Sequence, residues 1–89
     1  MSRDIDQIIE RLTVDIPGVD IQRLHVTNPG ADDDGLWFIQ IPGREENVQI
    51  ESSNGGCPFL IESDFSSGRL WGHSIEEVVS TVKRLYTQT

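Results

Sequence analysis

The 89-residue chain carries fifteen acidic against seven basic side chains, for a formal net charge of −8 and a sequence pI of about 4.4. Its 36% hydrophobic and 25% charged residues exclude the disordered class, and its length encloses one hydrophobic core, so residues 1–89 are expected to form a single domain. The acidic field repels phosphate backbones and anionic membranes, and the basic residues are scattered singly apart from Lys83 beside Arg84, which argues against nucleic acid and for a basic partner.

Ile5, Ile8, Ile9 and Leu12 recur at the spacing that lines one face of a helix, with Ser2 available as its cap and Asp4 and Asp6 in the first turn. The stretch "DIPGVD", Asp15 to Asp20, ends that helix, because proline cannot continue it and glycine permits the turn. The early charges in "MSRDIDQIIE" break what would be the apolar core of a signal peptide. No run reaches membrane-spanning length, so a cytoplasmic protein without membrane attachment is expected.

Val19 to Val26 reads as a strand of mixed phase, with Val19 and Ile21 on one side and Leu24 and Val26 on the other. The loop "TNPGADDDG" follows. Its adjacent Asp32, Asp33 and Asp34 lack the alternate ligand spacing and distal glutamate of a calcium loop, so a solvated loop is expected and no metal. "LWFIQI", Leu36 to Ile41, is rich in aromatic and β-branched residues and bounded by Gly35 and by Pro42 and Gly43, the marks of a strand.

Two further arms, about Asn47 to Ser52 and Pro58 to Ser63, flank "SNGGC" and read as a hairpin; "FSSG" turns the chain and "RLWG" adds a short edge strand. The last element, "HSIEEVVSTVKRLY", opens on Ser74 with Glu77 three residues on, a capping box, and aligns Ile75, Val78, Val79, Val82, Leu85 and Tyr86 on one stripe.

The short connections favour an antiparallel meander of three to four strands with both helices on one sheet face, a two-layer α+β sandwich. Strand parity then sorts the sheet. Trp37, Ile39, Ile41, Val48, Ile50, Phe59 and Ile61 point to the helices; Leu36, Phe38, Gln40, Gln49, Glu51, Leu60 and Glu62 point away. The second set mixes large apolar groups with carboxylates and amides, as a contact surface does.

No enzyme constellation emerges. A catalytic Cys57 would need a base and an electropositive setting, and His25 and His73 lie in other elements without a catalytic motif. Glu51, Glu62 and Asp64 supply carboxylates but no pocket or nucleophile accompanies them in the sequence, and Gly55-Gly56 opens no helix that would cradle a phosphate. No cofactor is expected.

The segments "GLWFIQIPG" and "VQIESSNGGCPFLIESD", spanning Gly35 to Asp64, resemble a family of small bacterial proteins of unassigned function that share a Gly-Leu-Trp-Phe strand and this Glu-Ser-Ser…Gly-x-Cys-Pro-Phe hairpin. The resemblance implies a bacterial origin and a role for Cys57 beyond the incidental, and carries no ligand or activity. The function expected from the sequence is a non-enzymatic protein-binding domain, in its sharpest form an immunity or antidote protein that masks a basic toxin. The contact residues would be the outward set together with Asp32, Asp33 and Asp34. The alternatives are a homodimer that buries Phe38 and Leu60, and a small thiol-dependent enzyme or accessory subunit using Cys57.

Overall fold

A computed structural model describes residues 3–23, 35–52, 54–64 and 66–87. The elements run α1 (Asp4–Asp15), β1 (Asp20–Arg23), β2 (Leu36–Gln40), β3 (Asn47–Glu51), β4 (Phe59–Ser63), β5 (Ser66–Gly72) and α2 (Ile75–Thr87). The strands form one antiparallel meander in the order β1-β2-β3-β4-β5, and both helices pack on the same face of it. The fold class is that read from the sequence, with five strands in place of three to four.

The additional pairing has two sources. β1 pairs along its whole length with β2, yet as an edge strand it buries little: Ile21 is half-buried and its neighbours are exposed, so its alternation is muted. At the other edge, "FSSG" does not turn the chain as expected, because Ser66, Ser67 and Gly68 already lie in β5. The chain reverses a little earlier, where Asn47 and Asp64 lock β3 to the end of β4. The Asp64 backbone N–H donates to Asn47 O at 3.1 Å, and the Asn47 N–H donates to Asp64 Oδ2 at 2.9 Å. A register shift between Ile61 and Ser63 absorbs the irregularity in β4 and β5. Leu24 and Val26 of the mixed-phase strand lie outside the described residues, as does Ser2; Arg3 is the residue at the N-cap of α1, its N–H donating to Asp6 Oδ2 at 3.0 Å.

The core is the interleaving of three periodicities. α1 contributes Ile5, Ile8 and Leu12 every three or four residues, α2 contributes Val78, Val79, Val82, Leu85 and Tyr86, and the alternate strand residues Trp37, Ile39, Val48, Ile50, Phe59 and Ile61 meet them from the sheet. Every one of these side chains is buried. Trp37 and Phe59 meet edge to face at 6.3 Å between ring centroids. Gly72 faces this layer opposite Phe59, where a Cβ would overlap Val78 Cγ2 and stand 3.2 Å from the Val78 backbone, so the closeness of β5 to α2 requires glycine.

The Ser74 cap forms as expected, the Glu77 N–H donating to Ser74 Oγ at 3.1 Å, while the Glu77 carboxylate reaches one residue further back to the His73 N–H at 3.3 Å. Ion pairs of Arg11 with Glu76 and of Lys83 with Asp15, at 3.3 Å for the second, join the two helices. Their order along both helices shows that α1 and α2 run in the same direction, the geometric result of an odd number of antiparallel strands between them.

Candidate functional site

The sheet face away from the helices is the surface on which the outward set converges. Strand register arranges it in rows that cross the strands. One row is Leu36, Glu51, Leu60 and Trp71; the next is Gln22, Phe38, Gln49 and Glu62; a third is Asp20, Gln40 and Asn47. All seven expected strand residues therefore share one face, with Leu36, Phe38, Gln49, Leu60 and Glu62 half-buried among their neighbours and Gln40 and Glu51 exposed. Cross-strand neighbours stand about 5 Å apart, so Leu36 and Phe38 on β2 and Leu60 with Trp71 on β4 and β5 form two apolar groups with Gln49 and Glu51 of β3 between them, while Asp20 and Glu62 lie in the neighbouring rows. Asp32, Asp33 and Asp34 lie outside the described residues.

Gln40 has a second role. Its side-chain amide donates to Arg44 O at 3.1 Å, which fastens it to the turn between β2 and β3, where the Arg44 N–H also donates to Ile41 O at 3.1 Å. It frames the face rather than standing free on it.

Trp71 is the residue that the sequence reading left unplaced. Pairing with Leu60 sets it on the open face, and 54% of its surface is exposed, which for a ring of this size is a large apolar area left to solvent. The alternation Arg69, Leu70, Trp71, Gly72 carried the signal, since a half-buried Leu70 and a glycine that packs against α2 fix the inward positions and leave Trp71 outward.

Beside Trp71 a cleft of about 340 Å³ opens, lined by Glu51, Ser52, Asn54, Gly56, Cys57, Pro58, Leu60 and Trp71. Its outer wall is the loop between β3 and β4, held by its own side chains. The Ser52 hydroxyl, buried, lies 2.6 Å from Gly56 O and 3.0 Å from Asn54 Oδ1, and the Gly56 N–H donates to the same Asn54 oxygen at 2.9 Å. Gly55 takes a positive φ of 75° with the Arg3 side chain packed where a Cβ would stand. The loop is then pinned to the start of α1, the Ile5 N–H donating to Gly55 O at 2.9 Å and the Cys57 N–H to Asp4 Oδ2 at 2.9 Å. Nearly every unusual residue of "ESSNGGCPF" is thereby used in shaping a wall and closing the N-terminal turn of α1.

Cys57 lies in this wall, half-buried, joined to Pro58 by a cis peptide bond. Burial pushes its thiol pKa above the ordinary 9.0, and the neighbouring carboxylates of Asp4 and Glu77 push it the same way. A nucleophilic cysteine needs the reverse, a cationic environment that stabilises the thiolate. His73 sits exposed before α2, and His25 lies outside the described residues. Among the described residues no three His, Cys, Asp or Glu side chains come together as a metal site requires, and no helix is long and apolar enough to cross a membrane. No family model, curated protein or solved structure matches the chain.

Proposed function

We propose that the protein is a non-enzymatic binding domain whose open sheet face docks a basic protein. The observation that carries this reading is the exposed Trp71 at the end of a row with Leu36, Glu51 and Leu60, adjoining Phe38, on a chain of net charge −8. Aromatic and aliphatic groups interleaved with carboxylates are the complement of a cationic surface that also presents apolar groups. Two copies of this chain would bring like charge to like charge, which favours a basic partner over self-association. Masking of a basic toxin, as an immunity or antidote protein does, is the sharpest form of the reading, and it draws on charge and size alone. The raised thiol pKa of Cys57 weighs against a thiol enzyme.

The test is capture from an extract of the native cell at low and at high salt, with wild type, Phe38→Ala and, as a control on the exposed side of α1, Glu10→Gln. A basic protein held at low salt by wild type and control but released by Phe38→Ala is the expected result. Retention of the same proteins by all three, or of this chain alone, overturns it; the second outcome transfers the face to a homodimer.

A further inference from the structure

We infer that the cleft beside Trp71 is a receptor for one arginine side chain of the partner, its guanidinium lying on Leu60 between the Trp71 ring and the Glu51 carboxylate. The inference rests on the reading of the open face as a docking surface and names the chemistry at its centre. Three placements carry it. Glu51 and Trp71 are both cross-strand neighbours of Leu60, on β3 and β5 respectively, so they flank it about 10 Å apart across two strand spacings. That gap accepts a flat group that stacks on one wall and hydrogen-bonds the other. Leu60, half-buried, gives an apolar floor for the methylene stem that such a side chain brings with it.

The chemistry of the lining is one-sided. Among the described lining residues Glu51 is the one acidic side chain, and none is basic. The oxygens of the loop wall are already engaged: the Asn54 side-chain oxygen accepts from the Gly56 N–H and lies against the Ser52 hydroxyl, whose proton is shared with Gly56 O. Within the described lining an anion would meet a carboxylate and no cation, and a neutral apolar guest would leave Glu51 stripped of water at the edge of the contact. A guanidinium satisfies both walls, since it stacks on an indole face and pairs bidentately with a carboxylate, and it holds less tightly to its own hydration than an ammonium does.

The experiment needs no partner. Acetyl-Gly-Arg-Gly-amide is titrated into the ¹⁵N-labelled protein, with the lysine and citrulline analogues as comparators, and the indole N–H of Trp71 is followed beside that of Trp37, which is buried and serves as an internal reference. The arginine peptide is expected to shift the Trp71 indole and the Glu51 and Leu60 amides in a weak but saturable manner, about five-fold more tightly than citrulline. Glu51→Gln and Trp71→Leu, both at exposed positions, are each expected to remove most of that difference while leaving the spectrum of the core unchanged. Equal shifts with arginine and citrulline, shifts confined to acidic positions elsewhere, or a lysine peptide that binds as well as arginine each overturn the assignment. Failure here with loss of partner capture in Phe38→Ala would leave the docking face standing and remove only its arginine pocket.

Discussion

Replacing Tyr86 by phenylalanine deletes one oxygen from the middle of the fold and little else. The ring is buried in the last turns of α2, and its hydroxyl donates to Ile39 O in the central part of the sheet at 2.6 Å, with Glu46 O at 3.3 Å. A phenylalanine ring would fill the same space, so the loss is the hydrogen bond and the solvation of carbonyls that no water replaces, about 1–2 kcal/mol. For a domain of this size each kcal/mol lowers Tm by roughly 4–8 °C. The same hydroxyl predicts a pH dependence. Burial raises its pKa above the ordinary 10.0, against a smaller opposing pull from the Val48 backbone and Arg44. The neutral form is thus favoured by the fold, and the stability it contributes is full below pH 10 and lost as pH rises through the folded value. Tyr86 is the sole tyrosine of the sequence, so tyrosinate absorbance reports this residue alone. Urea unfolding followed by circular dichroism, from neutral pH upward, should show Tyr86→Phe less stable than wild type at neutral pH, with the gap narrowing above pH 10. An unchanged midpoint at neutral pH, or ionisation of Tyr86 at or below its ordinary value, would refute the reasoning.

Gly72→Ala is expected to cost about 1–3 kcal/mol by forcing β5 and α2 apart, and Val78→Ala in the same chain to recover part of that loss; additive effects of the two changes, measured in a double-mutant cycle, would sink the packing explanation. The Cys57 thiol should react slowly with a disulfide reagent near neutrality and titrate above 9.0, and Asp4→Asn should move its titration downward. A thiolate already formed at neutral pH would return Cys57 to the catalytic candidates.

The parity of "LWFIQI", "NVQIE" and "FLIES" placed six of its seven inward residues in the core and all seven outward ones on the open face, while the seventh inward residue, Ile41, lies just past the end of β2 and packs half-buried against the core; each segment is short, regular and flanked by turn residues, and its alternation follows burial on a single face. β1 and β5 were harder to read for the same physical reason. Edge strands bury one side only partly, and "SSGRLWG" begins with small polar residues whose composition matches a turn as well as a strand. The candidate surface was legible as a face but not as a cleft. Glu51 and Leu60 were both assigned outward, yet their position beside Trp71 depends on the pairing of β4 with β5 and on a loop whose serine, asparagine and glycines act through hydrogen bonds to one another and to α1. Such bonds join Gly55 and Cys57 to Ile5 and Asp4, a separation no local pattern reports.

Of the fourteen buried apolar side chains among the described residues, five belong to α2, while the strands that precede it connect mainly to their immediate neighbours. During synthesis the meander can pair strand by strand as it leaves the ribosome, since each hairpin needs only a short loop to close. Until α2 has emerged, α1 alone is available to cover its inner face. A chain that lacks α2 carries a nearly complete sheet on which α1 alone covers Val48, Ile50, Phe59 and Ile61, leaving apolar surface of the kind that chaperones and proteases engage. The acidic open face is in its final form by then, and it supplies solubility on one side of the sheet while the other waits for its cover.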